Sequence, residues 1–272
     1  MMHAKTPIPI IPPELLLRAY RSGIFPMADG RDDPDIFWVE PKIRAILPLD
    51  GFHLSHSLRK TVRSDRFHVT CNAAFDAVID SCAAPRPDAD DSWISMRIAA
   101  SYGELHRLGY AHSIECWHDD ELVGGLYGVG FGRAFCGESM FSRMRDSSKV
   151  AMAWLVAALR RGGVELLDCQ FITPHLASLG AREIPQAQYV DLLREAQRPL
   201  AAGEGAALLL GAGSAASAES DFGAGLLPAG FAALLEEAAG LGDAAGLDAA
   251  AGAGGPPSSP GNFIAQSLTQ TS

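Results

Sequence analysis

The stretch from residue 111 to residue 169 constrains the fold more than any other part of this 272-residue chain. Ala111–Trp117, Leu122–Val129 and Ala134–Ser142 are apolar, strand-like runs, separated only by a polar turn at 118–121 and a glycine-containing turn at 130–132. Connections this short join antiparallel neighbours, so the three runs form a meander. A helix follows, capped by Asp146 or Ser147 and stopped near Arg161 by Gly162-Gly163. Met152, Leu155, Val156 and Leu159 recur along it at helical spacing. Val164–Cys169 is a fourth strand, and the helices His175–Leu179 and Gln186–Gln197 close the region. This order suits a mixed sheet with a covering helix.

The segment before it mixes both element types. Helices are expected at Glu14–Arg21, Ser55–Asp65, Ala73–Cys82 and Trp93–Leu108, and strands at Ile36–Val39, Ala45–Leu49 and Phe67–Cys71. Ile24–Met27 is expected to be a turn into a loop, and Ala83–Ser92 a Pro/Asp-rich loop. The division expected is an N-terminal domain over 1–92, a catalytic domain over 93–200 and an Ala/Gly-rich tail over 201–272. The tail is expected to be disordered and dispensable to the core.

The tail also distorts the charge balance. The whole chain carries −10, but residues 201–272 hold seven acids and no Lys or Arg. Residues 1–200 therefore carry 25 acids against 22 bases, near balance, which leaves room for a local basic face. Arg59, Lys60, Arg63 and Arg66 are candidates, with Arg59, Arg63 and Arg66 sharing one helix face. A solvated surface helix would carry the same residues. Five cysteines without metal-ligand spacing suggest buried thiols in a reducing compartment. No signal peptide and no run of about 20 apolar residues is evident, so a cytoplasmic protein with no membrane partner is expected.

Two carboxylates stand out because they interrupt apolar strands. Glu138 lies in Cys136-Gly137-Glu138-Ser139-Met140-Phe141-Ser142, and Asp168 lies in Leu167-Asp168-Cys169-Gln170. A carboxylate in such surroundings is costly unless it is paired or hydrogen-bonded. In an extended segment Asp168 and Gln170 point to the same face. The alternative is a buried carboxylate satisfied by the backbone. A cysteine nucleophile, Cys136 or Cys169 with His112 or His175, lacks a recognised surrounding motif.

The strand–helix order of residues 111–197 is that of GNAT-type acyltransferases, although the Gly-rich turn of acetyl-CoA binders is replaced by Arg143-Met144-Arg145-Asp146-Ser147-Ser148. The runs AYRSGIFPM (19–27), FWVEP (37–41), SWIS (92–95), HSIECW (112–117), ELVGGLYGV (121–129), FCGESMFSR (135–143), SSK (147–149), LLDCQ (166–170), HLASLGA (175–181) and EIP (183–185) occur in order. Together they resemble the leucyl/phenylalanyl-tRNA–protein transferases over roughly residues 14–197. The resemblance implies an α+β chain with a GNAT-like acyltransferase domain. Such a protein is a monomer needing no cofactor or metal. It moves Leu or Phe from Leu-tRNA or Phe-tRNA to proteins with N-terminal Arg or Lys, marking them for degradation. It further implies that Asp168 and Gln170 are the catalytic pair, with Asp168 polarising the Gln170 amide. Glu138 would hold the cationic acceptor residue. Leu126, Phe135, Met152, Leu155, Leu159 and Leu167 would line the donor side-chain slot, although ordinary core packing uses the same residue types. Trp93 and Trp38 would lie near the terminal adenosine. Many members carry Trp where this chain has Met27, and WWSP where it has Trp38-Val39-Glu40-Pro41. A relative acting on another amine, or a non-catalytic RNA-binding relative, are the alternatives.

Overall fold

The computed structural model describes residues 8–85, 91–199, 225–244 and 259–269. Its centre is a seven-stranded sheet built from β3 (Ile43–Ile46), β4 (His68–Cys71), β5 (Ala111–His118), β6 (Glu121–Phe131), β7 (Ala134–Ser142), β8 (Leu166–Gln170) and β9 (Arg182–Pro185), in the order β4-β5-β6-β7-β8-β3-β9. The meander is present, with turns narrower than expected, at 119–120 and 132–133, because His118, Glu121, Gly130 and Phe131 all pair within the strands. All neighbours are antiparallel except β7 and β8, which run parallel. A parallel pair needs a long crossover, and the helix between them supplies it. A separate two-stranded ribbon pairs β1 (Phe25–Met27) with β2 (Phe37–Val39).

One face of the sheet carries α1 (Pro13–Arg21), α3 (Phe75–Ala83), α4 (Met96–Arg107) and α7 (Gln186–Ala196), which share a core including Tyr20, Phe75, Tyr102 and Tyr189. The other carries α2 (His56–Arg63) and α5 (Ser147–Arg161). The short α6 (Pro174–Ser178) follows β8. Ser55 and Ser95 cap α2 and α4 through their side-chain oxygens. Asp146 does not cap α5. It takes a left-handed backbone (φ 70) with no capping bond, and Ser147 instead donates its hydroxyl to the Val123 carbonyl of β6 at 2.9 Å. That approach requires Gly124, where a Cβ would stand 2.2 Å from the Ser147 Oγ.

Several expectations are corrected. Ile24–Met27 contains strand β1, because Phe25 pairs with Val39 across the ribbon. Strand β9 was not anticipated. Strands β3 and β4 precede residue 92 yet lie in the same sheet as β5–β9, so the sheet runs across the expected domain boundary. Helix α2 ends at Arg63, and Asp65 turns the chain at φ 45, so Arg66 leaves the helix face it was expected to share.

The largest correction concerns residues 201–272. Helices α8 (Leu226–Ala244) and α9 (Pro260–Ser267) belong to this segment, and both pack on the sheet-covering helices. Leu226, Leu227, Phe231 and Leu234 of α8, with Ile264 and Ala265 of α9, are buried in one core with α5 and α2. The Phe231 ring lies 5.4 Å from that of Trp154 on α5. Gly230 permits the close crossing, since a Cβ there would meet the Ala158 carbonyl oxygen at 2.0 Å. The physical reason is visible in α5. It is apolar on nearly every side, and a helix of that kind is covered on every side. Residues 200–224, 245–258 and 270–272 lie outside the described residues.

Candidate active site

Strands β7 and β8 pair in register from Ala134↔Leu166 to Cys136↔Asp168 and no further. On the other side of β7, Tyr127 pairs with Ser139 but Gly128 pairs with Gly137, leaving Glu138 as the extra residue of a β-bulge. A bulge bends its strand and re-aims a side chain. Beyond it β7 and β8 separate, and a cavity of about 610 Å³ opens between their C-terminal halves. Glu138 and Gln170 both line it.

The carboxylate of Glu138 accepts the Tyr102 hydroxyl at 3.0 Å and the Gln170 side-chain Nε2 at 3.2 Å. The Tyr102 hydroxyl in turn bonds that of Tyr20. Burial pushes the Glu138 pKa up to about 7, opposed by the tyrosine hydrogen bonds, with Asp168 adding to the rise and Arg44 opposing it. Glu138 is therefore poised to change charge near neutrality.

Asp168 is fully buried, and so is its partner Arg44 of β3. Arg44 donates Nε to Oδ1 at 2.9 Å and Nη2 to Oδ2 at 2.5 Å, while Oδ1 also accepts the Gln170 backbone N–H at 2.9 Å and Oδ2 the Tyr189 hydroxyl at 3.0 Å. A carboxylate offers about four acceptor positions, and all are taken. Burial acts to lower the Arg44 pKa, but the bonds and charge of Asp168 outweigh it and hold the guanidinium above its ordinary value. Breaking such a pair from one side typically costs about 3–5 kcal/mol.

These contacts revise the expected catalytic pair. The Gln170 amide is held by Glu138, and Asp168 meets only the Gln170 backbone. Gln170 is not extended either. Its φ is 56, and Phe171 N–H bonds the Cys169 carbonyl at 2.7 Å across it, closing a three-residue turn. Turns of this kind with positive φ at a non-glycine residue are strained by about 1–3 kcal/mol and persist only where the surroundings enforce them.

Of the expected slot residues, Leu126, Met152, Leu155 and Leu167 line the cavity. Phe135 and Leu159 are buried in the core behind it. Trp93 lines the cavity, whereas Trp38 on β2 is 40% exposed and is not among the lining residues. Met27, where many members of the resembled family carry Trp, also lines it, as do Phe25 and Phe171, neither of which is singled out by the sequence. The Phe25 and Phe171 rings meet edge to face at 5.8 Å. Arg59, Lys60, Arg63 and Arg66 are exposed and none lines the cavity. Arg63 donates Nε to Asn262 of α9 at 2.7 Å, and Arg66 lines a hollow at the β4–β5 edge with His68 and Trp117.

Cysteine chemistry finds no support. Burial, then the Asp168 charge, pushes both the Cys136 and Cys169 thiols up, away from the reactive thiolate. Burial, with Lys149 nearby, pulls His175 down. Among the described residues no group of three His, Cys, Asp or Glu side chains is arranged to hold a metal ion, and no helix is long and apolar enough to cross a membrane.

Residues 46–194 match the family model described as leucyl/phenylalanyl-tRNA protein transferase, and residues 11–42 match the model of its N-terminal domain. A leucyl/phenylalanyl-tRNA–protein transferase of Novosphingobium aromaticivorans is 65% identical over 271 residues, covering 96% of this chain and 97% of its own. One from Zymomonas mobilis is 62% identical over 187 residues, covering 69% of this chain and 70% of its own. One from Rhizorhabdus wittichii is 60% identical over 197 residues, covering 72% and 79% respectively.

Proposed function

The chain belongs to the leucyl/phenylalanyl-tRNA–protein transferase family, and from that premise we propose how its site transfers Leu or Phe from aminoacyl-tRNA to the α-amino group of a protein beginning with Arg or Lys. The observation that carries the reading is the Gln170 amide fixed on Glu138 at the wall of a largely apolar cavity.

The donor side chain enters the slot of Leu126, Met152, Leu155 and Leu167. Unbranched Met152 adapts to either donor shape. Trp93 stacks on the terminal adenine, a contact worth about 1–3 kcal/mol. With its Nε2 committed to Glu138, Gln170 offers its carbonyl oxygen to an N–H of the incoming amine. This orients the amine lone pair toward the ester carbon. A neutral amide is a weak base, so the gain lies in positioning. The amide C–N bond forms, the ester C–O bond breaks, and the proton lost by the amine ends on the released ribose hydroxyl. Glu138, when ionised, attracts the acceptor's cationic residue. Arg59 and Lys60, with Arg63 and Arg66, meet tRNA phosphates away from the cavity. The splayed parallel pair β7–β8 beneath α5 supports a GNAT-like acyltransferase architecture.

The test is to incubate the protein with radiolabelled Leu-tRNA or Phe-tRNA and peptides beginning with Arg, Lys or Ala. Label is expected on the Arg and Lys peptides. Absence of label there while the tRNA stays charged refutes the reading.

A further inference from the structure

We infer that Arg44 is a positioning residue for the transfer step, acting on Gln170 through Asp168. The inference rests on the role proposed above for Gln170. With its four acceptor positions filled by Arg44, Tyr189 and the Gln170 backbone, Asp168 has none left for substrate. Whatever it contributes must pass through the groups it holds. The one that faces the cavity is Gln170, and the bond holding it is the backbone N–H to Oδ1. That bond pins the turn at φ 56. Without it the strained turn relaxes toward ordinary backbone and carries the amide away from Glu138.

The orientation of Asp168 is set in turn by Arg44. The guanidinium reads both carboxylate oxygens as a planar fork, and is itself held by the Gly23 carbonyl at 2.9 Å and the Tyr189 hydroxyl at 3.2 Å. It lies between the rings of Phe25 and Tyr189, with centroid distances of 4.9 and 4.4 Å. Charge, fork and stacking are all used, and a lysine supplies only the first. Phe25 also lines the cavity, so the clamp that sets Gln170 is built into the cavity wall.

The experiment measures steady-state transfer from Leu-tRNA to an Arg-initiated peptide by Arg44→Lys, Gln170→Ala and the double variant. Arg44→Lys keeps a positive charge beside Asp168. It is expected to lower kcat by about 30- to 100-fold, the scale of a misplaced reacting group, with KM for Leu-tRNA within about twofold. In the Gln170→Ala background the same change is expected to alter the residual rate by less than about twofold, since no amide remains to misplace. A wild-type kcat in Arg44→Lys, or effects that multiply in the double variant, overturns the inference. A wild-type rate in Gln170→Ala alone instead sinks the reading of Gln170. Should Arg44→Lys not fold, Tyr189→Phe carries the same test, because it removes one bond to Asp168 and one to Arg44 while keeping the ring. A several-fold fall in kcat is then expected, absent in the Gln170→Ala background. No fall, or one that persists there, overturns the inference.

Discussion

Replacing Glu138 with Gln is expected to stabilise the protein while impairing it. In the fold the carboxyl is lifted from about 4.5 to about 7 by burial. The folded chain therefore binds more protons at this site than the unfolded chain between those two values. Its contribution to stability is fully present below about pH 4.5 and is lost as the pH rises through 7. Above that, the ionised group opposes folding. At about 1.4 kcal/mol per tenfold change in proton affinity, the upper limit is about 3 kcal/mol. Water in the open cavity screens the charge and reduces this to about 1–3 kcal/mol. Glutamine removes the charge and keeps the shape. Tyr102 can accept as well as donate, so a glutamine whose amide N–H faces Tyr102 and whose oxygen still accepts from Gln170 keeps both hydrogen bonds. Thermal unfolding at pH 8 is expected to show Glu138→Gln melting about 3–10 °C above wild type, with the gap closing by pH 4.5. Transfer to Arg and Lys peptides is expected to fall, mainly through a raised peptide KM, and to lose the inflection near pH 7. Equal melting temperatures at pH 8, or a gap that does not shrink on acidification, would refute the reasoning.

Three further outcomes follow from the geometry. Phe231→Ala removes the ring packed on Trp154 and is expected to cost about 3–5 kcal/mol in urea unfolding with kcat unchanged; unaltered stability would detach α8 from the core. Arg59→Glu with Lys60→Glu is expected to weaken tRNA binding and flatten its dependence on salt, as filter binding would detect. Met152→Ala enlarges the slot and is expected to raise the Phe-to-Leu transfer ratio several-fold when the two charged tRNAs compete, whereas an unchanged ratio would place the donor side chain elsewhere.

Much of the architecture is a local matter and was legible in the sequence. Short polar turns dictate the meander of β5, β6 and β7. Gly162-Gly163 ends α5, and Ser55 caps α2. The family of the site was legible too, because ten short runs stand in order along the chain. Glu138, Asp168 and Gln170 were visible as polar residues interrupting apolar strands. Their division of labour was not. The bulge at Glu138 breaks the two-residue alternation from which facing is read, and the turn at Gln170 breaks it again. Arg44 lies 124 positions from Asp168, and no periodicity links residues so far apart. The docking of α8 and α9 belongs to the same class. Ala/Gly-rich helices carry little amphipathic signal of their own, and the sign of their docking lay in α5, whose apolar residues leave no face for water. Sequence by itself determined the meander of β5, β6 and β7 and the helix α5 that covers it, because propensity, capping and turn chemistry act between near neighbours; β1 and β9 exist only through their pairing with β2 and β3. Tertiary structure alone decided that Asp168 is saturated by Arg44 and Tyr189, that Glu138 holds Gln170, and that the C-terminal segment completes the core, because those depend on groups brought together only when the sheet closes.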